Sequence, residues 1–190
     1  MKKIVTINDA DHLVLRHKAQ AVTFPLSEEV KQVIDDLKQS IAKLENAVGL
    51  AAPQIGHAWQ VALLQIPAAA AKLRKWVEDI VPLTVMINPI FTPDIQAGQI
   101  KDWEGCFSVP DKMGEVRRFH AIDYQYFAED GKKIQGRARG LLARVIQHEV
   151  GHLRGQLFFD LLTQDCRFGS VTELLPIRLK ELQAWQSSNP

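Results

Sequence analysis

The segment His148-Glu149-Val150-Gly151-His152 sets two imidazoles four residues apart, with a carboxylate next to the first. On a helix, residues four apart stand one turn above each other on one face, so both rings can reach a single cation. Glu149 projects about a quarter-turn away, toward a water on that cation. The plainer alternative is a pair of histidines satisfied by backbone or carboxylates inside a buried helix. Apolar residues on both sides of the segment argue against a solvated polar face.

Two protein ligands do not complete a catalytic metal site, which normally takes three and keeps one position open. A His-x-x-Gly-x-x-His continuation finds Gly155 in place but Phe158 where the third histidine belongs, so it fails on its ligand. A zincin-like metallopeptidase would draw Glu173 or Glu181 from a downstream helix, although 190 residues leave little room for a second domain of that architecture. The remaining donor is Cys106, in Glu104-Gly105-Cys106-Phe107-Ser108. A thiolate binds zinc or ferrous iron strongly, and Gly105 admits close backbone approach. Beside an aromatic residue, a cysteine is more often a small buried hydrophobe. A third segment, Val48 to Gly56, carries a run of small residues ending in Pro53-Gln54, where a glutamine amide could donate to a developing oxyanion. Alone, that run also reads as strand-to-loop packing.

These residues need elements to carry them. Ser27 can cap a helix whose first turn holds Glu28 and Glu29 and whose apolar positions Val30, Val33, Ile34, Leu37, Ile41 and Leu44 step by three and four. Short apolar or alternating runs follow at Val61–Ile66, Leu83–Phe91 and Ala121–Phe127, punctuated by prolines, and read as strands. Asp130-Gly131 signals a hairpin between Ile122–Phe127 and Lys132–Ala138. Gly140 precedes a mostly buried helix from Leu141 to Leu153, which Gly155 can stop. The last segment, Val171–Trp185, is helical in composition and is expected to start or kink at Pro176. The order points to an α+β fold, a mostly antiparallel sheet arrangement packed around one central helix. Residues 1–190 are expected to form one domain, with about 165–190 a helical extension.

Composition bounds the function classes. Lys and Arg number 23 against 22 Asp and Glu, a net charge of +1, so no global field gathers nucleic acid or an anionic membrane. The longest apolar runs fall far short of a membrane span, and Met1-Lys2-Lys3 leads into an apolar stretch too short for a signal peptide. Cys106 and Cys166 are too few for a disulfide framework. A cytoplasmic protein is expected. Cys166 lacks a second ligand at useful spacing and reads as a free thiol, and Trp103 as wall or core.

Taken in order, the three segments resemble the peptide deformylases. That family carries Gly-φ-Gly-φ-Ala-Ala-x-Gln (φ apolar), Glu-Gly-Cys-φ-Ser and Gln-His-Glu-x-Asp-His, which stand here as Ala47–Gln54, Glu104–Ser108 and Gln147–His152. The resemblance implies one divalent ion held by Cys106, His148 and His152, natively ferrous iron, with zinc or nickel able to replace it. It implies Glu149 as the proton carrier, with Gln54 and the backbone N–H of Phe107 around the oxyanion. The implied substrate is the N-formyl-methionyl end of a nascent peptide, lying along Gly49 as an added strand, its first side chain against Val48, Leu141 and Val145. Core packing would also account for those three apolar residues. Apart from the resemblance, the terminal segment Leu174–Trp185 offers Arg178 and Lys180 for a ribosomal contact, against the simpler reading of a solvated amphipathic cap.

The chain departs from the family pattern in three places. Gly151 replaces an aspartate expected to pair with an arginine resembling Arg118, which would then need another partner. Ala47 replaces the first glycine, adding a methyl where substrate backbone is expected to pass, and Phe107 replaces the usual leucine. All three ligands, Glu149 and Gln54 are intact, so a working hydrolase is expected. A non-catalytic metal- or peptide-binding protein on the same scaffold is the alternative that Gly151 and Ala47 motivate.

Overall fold

A computed structural model describes residues 2–189, so Met1 and Pro190, the ends of the expected unit, lie outside the described residues. The chain runs α1 (Glu28–Ile41), β1 (Gly49–Ala51), β2 (Val61–Ile66), β3 (Val81–Pro93), β4 (Gln99–Cys106), β5 (Val109–Phe119), β6 (Ala121–Phe127), β7 (Lys133–Arg139), α2 (Gly140–Leu153), β8 (Phe168–Ser170) and α3 (Val171–Ser188). Two sheets form, in the orders β1-β2-β3-β6-β7 and β4-β5-β8, and every strand pair in them is antiparallel. Helix α2 packs against β1, β2 and β7 of the larger sheet and β5 of the smaller, as the α+β expectation requires.

The continuous apolar run in β2 follows from burial on both faces. Alternate residues point to opposite sides of a strand. Ala62, Leu64 and Ile66 pack with α2, while Val61 and Leu63 pack with α1 on the far face. Helix α1 begins where Ser27 Oγ accepts the Val30 N–H at 3.3 Å, and it buries Val30, Val33, Ile34, Leu37 and Ile41. It ends at Ile41, short of the periodic set. Leu44 still packs into the same cluster, but from the turn that follows.

The end of α2 is closed by a Schellman motif. Gln156 N–H donates to Gly151 O at 2.9 Å and Gly155 N–H to His152 O at 3.1 Å, with Gly155 in the left-handed region at φ +75°. A side chain at Gly155 would also meet Arg16 O at 2.5 Å. The last turn, which carries His152, is thereby anchored. Helix α3 does not start at Pro176, one of the two expected outcomes there. It starts five residues before Pro176, because Ser170 and Glu173 form a capping box that nucleates it earlier, and Pro176 lies inside. Among the described residues no helix is long and apolar enough to cross a membrane.

Candidate active site

Helix α2 and the end of β4 bring three side chains together. Cys106 Sγ lies 3.3 Å from His152 Nε2, which lies 3.2 Å from His148 Nε2, and the donor atoms of all three fall within 4.8 Å of one another. The competing third ligands are elsewhere. Glu173 is exposed and bonded to Ser170, Glu181 binds Trp103 Nε1 at 2.8 Å and Arg167 at 2.6 Å, and Phe158 is buried among Val109, Val116 and Leu157. The zincin-like arrangement is therefore not the one built here. Cys166 sits apart, with Thr163 Oγ1 at 3.1 Å.

Glu104 is the residue that spacing alone did not single out. It is buried and accepts Arg118 through two bonds of 2.9 Å, Arg144 Nη1 at 2.6 Å and His148 Nδ1 at 2.9 Å. Burial by itself would raise this carboxyl, but the two guanidiniums and His148 hold it well below the usual carboxylate range. The partner that Arg118 lacks because of Gly151 is thus supplied from β4. The signal available was a charged residue at the head of the cysteine segment in a chain with two nearby arginines. A carboxylate on Nδ1 turns Nε2 toward the thiol, the arrangement usual behind metal-binding imidazoles.

Burial dominates the other titrations. His152 is held well below its ordinary pKa by desolvation and by the positive charge on His148. At His148 burial again opposes a proton, but hydrogen bonds with Cys106 and Glu104 outweigh it and lift the imidazole to about 10. A cation on the ring nitrogens takes the place of such a proton. Burial raises Glu149 to about 7, against the pull of His148 and Arg118. Glu149 Oε2 is buried with no hydrogen-bond partner among the described residues. One sulfur and two imidazole nitrogens, with this polar surplus beside them, fit a single zinc, iron or nickel ion.

Gln54 is fixed by Ala51 N–H donating to its Oε1 at 2.9 Å, which aims its Nε2 at Cys106 Sγ (3.4 Å) and Ser108 Oγ (3.3 Å). Gly49 faces Glu149 so closely that a Cβ there would lie 2.1 Å from Glu149 Oε1. Both line one cavity of about 120 Å³ together with Cys106, Phe107, His148 and Glu149. Val48, Leu141 and Val145 also line it while belonging to the core around α2, so the two readings of these residues are compatible. Ala47 does not line it. Its methyl is buried in the α1 cluster and its carbonyl accepts Gln65 Nε2 at 3.0 Å, so the substitution leaves the cavity unobstructed. Trp103 forms part of the cavity wall, with the Arg167 guanidinium 4.6 Å over its ring.

A sequence model of the family described as Polypeptide deformylase matches residues 1–168. Peptide deformylase 2 of Rickettsia conorii is 39% identical over 183 residues, covering 95% of this chain and 89% of that protein. The peptide deformylase of Levilactobacillus brevis is 36% identical over 190 residues, covering 93% and 98%. Among solved structures, the peptide deformylase of Thermotoga maritima aligns with a TM-score of 0.71 at 28% identity, over 86% of this chain and 98% of that one. The class I type b peptide deformylase of Acinetobacter baumannii aligns at 0.72 and 26%, over 85% and 99%. The family match spans most of the chain and includes all three motif segments, and the relatives share both its length and its fold: the chain belongs to the polypeptide deformylase family.

Proposed function

We propose that this protein removes the formyl group from the N-terminal formyl-methionine of newly made polypeptides, releasing formate and a free amine. One divalent ion would be held by Cys106, His148 and His152. The observation that carries the reading is the convergence of that sulfur and two imidazole nitrogens beside a buried glutamate whose Oε2 has no hydrogen-bond partner among the described residues. When bound, the ion supplies Lewis acidity and brings the pKa of a water toward neutrality. A thiolate with two imidazoles accommodates iron, zinc or nickel; ferrous iron is the proposed native occupant, following the family resemblance.

Each side chain then has a task suited to its surroundings. Glu149, poised near neutrality by burial, accepts a proton from the attacking water and passes it to the departing amine nitrogen. Gln54 Nε2 and the Phe107 backbone N–H donate to the oxygen on which negative charge develops, a stabilisation worth about 3–4 kcal/mol per donor. Glu104 holds His148 in the tautomer that leaves Nε2 free. Strand β1 is at the edge of its sheet, so an extended peptide can add alongside Val48 and Gly49. Its first side chain would then enter the cavity between Val48, Leu141 and Val145. Work in the cytoplasm on chains emerging from the ribosome accords with this substrate.

Protein loaded with ferrous iron under anaerobic conditions should release formate from a formyl-Met-Ala-Ser amide. Glu149→Gln should lower that rate by about 10²–10⁴-fold while metal content is kept. Cys106→Ala should lose the metal. Fully metallated protein that releases no formate would refute the proposal.

A further inference from the structure

The catalytic cavity has a second wall that the family motifs do not contribute. Between β2 and β3 the chain leaves the sheet, and α3 returns across it. Arg178 Nη2 donates to Leu73 O at 2.5 Å, Gln186 Nε2 to Ala71 O at 3.0 Å, and the Trp76 and Trp185 rings lie 5.5 Å apart. This junction sets Arg74, Lys75 and Arg178 on the cavity that also holds Cys106 and His148. Arg178 lies beyond residue 168, where the family match ends.

The charges on this wall do not balance. Arg74 donates to Asn46 O at 2.9 Å and Arg178 to Leu73 O, both neutral carbonyls. Among the described residues, neither guanidinium has a carboxylate oxygen within 4.0 Å. Lys75 Nζ lies 3.9 Å from Asp102 Oδ1, an oxygen that also accepts the Trp103 N–H. Glu181, the other acid at this end, is occupied by Trp103 Nε1 and Arg167. Of the three cations, only Lys75 has a carboxylate oxygen within 4.0 Å among the described residues. Burial lowers the pKa of both arginines; Arg178 lowers that of Arg74 further, so the two guanidiniums are close enough to repel, and Asp102 only partly offsets the shift at Arg178. Both arginines are half-buried, and partly desolvated like charges are costly unless an anion joins them. The planar fork of arginine suits a carboxylate in particular.

We infer that Arg74, Lys75 and Arg178 form an anion subsite of the catalytic cavity, one that takes a carboxylate of the formylated peptide. The inference rests on the deformylase reading above. It makes this protein selective among formyl peptides by charge, with the apolar wall of Val48, Leu141 and Val145 left to the uncharged part of the substrate.

The test compares kcat/KM for formate release by metal-loaded protein across five peptides. Formyl-Met-Ala-Ser amide is the neutral reference and formyl-Met-Ala-Lys amide the cationic one. Formyl-Met-Ala-Ser free acid, formyl-Met-Ala-Glu amide and formyl-Glu-Ala-Ser amide place the carboxylate at the C-terminus, the third side chain or the first. At least one acidic peptide should exceed the neutral reference by about tenfold or more, the worth of one charge-assisted hydrogen bond, and which one does so identifies the source of the carboxylate. Arg178→Gln should bring that ratio toward one, and Arg178→Lys should retain most of it, with melting temperatures confirming that both variants fold. Calorimetric binding of the deformylated product peptides should follow the same order. Equal kcat/KM for acidic and neutral peptides, or a ratio unaltered in Arg178→Gln, overturns the anion subsite while leaving the deformylase reading intact. Formate from none of the five overturns both.

Discussion

Replacing Gly49 with alanine isolates the placement of Glu149. The added Cβ would lie 2.1 Å from Glu149 Oε1, 2.6 Å from its Cδ and 2.9 Å from its Cγ, where ordinary contact begins at 3.4 Å. Gly49 cannot easily retreat, because β1 is paired with β2 opposite Leu64 and Gln65 N–H holds Val48 O at 2.9 Å. The carboxylate must therefore shift by about 1.3 Å, the shortfall at Oε1. Misplacement of a catalytic group by about 1 Å typically costs on the order of 10²-fold in rate. The three atoms nearest that Cβ all belong to Glu149 and none to Cys106, His148 or His152. The expected result is a roughly 10²-fold lower kcat for formate release from formyl-Met-Ala-Ser amide, at unchanged metal content. Overpacking should lower stability by about 1–3 kcal/mol. Full kcat in the metallated variant would refute the proposed role of Glu149 at this spot. Parallel loss of metal and activity would instead point to collapse of the ligand set.

Three further outcomes follow from the same geometry. Gly151→Ala should stabilise the protein by about 1 kcal/mol, since a Cβ there meets only Gln156 atoms at 3.7 Å and the helix gains propensity; a melting temperature that falls refutes this, against an expected rise of roughly 2–4 °C. Glu104→Gln should weaken metal affinity by about 10–100-fold through the loosened His148, and should destabilise the fold by on the order of 3 kcal/mol because Arg118 and Arg144 lose their carboxylate; metal titration showing parental affinity argues against the orienting role. Hydrogen bonds from Arg167 hold Glu115 below its usual 4.5, so this pair stabilises fully above that pH and loses its effect as pH falls through the folded value. Arg167→Met should accordingly melt lower than the parent at pH 7, with the gap narrowing as pH falls below 4.5; a gap that does not narrow would contradict that linkage.

Local patterning was enough to place α1, β2, the β6–β7 hairpin and α2 with its glycine stop, because each has a period or a turn residue that acts within a few positions. The His-Glu-x-x-His spacing is likewise local, since helical geometry alone puts His148 and His152 on one face. Helix α3 starts at Val171 rather than at Pro176, because the capping box of Ser170 and Glu173 nucleates it ahead of the proline.

The third donor of the proposed metal site was of another kind. Cys106 lies more than forty residues before the paired imidazoles, and from composition alone Glu173, Glu181 and a buried structural thiol were all open. Only the packing of α2 between two sheets, with the end of β4 against it, brings that sulfur within 3.3 Å of His152. The carboxylate hub at Glu104, the depth of Glu149 and the clustering of Arg74, Lys75 and Arg178 are also consequences of tertiary burial, which no local period encodes. The amino-acid order alone determined the elements and two of the donors. Folding decided which distant groups share one desolvated space, and a group's pKa and ligand partners depend on that shared space rather than on its neighbours in the chain.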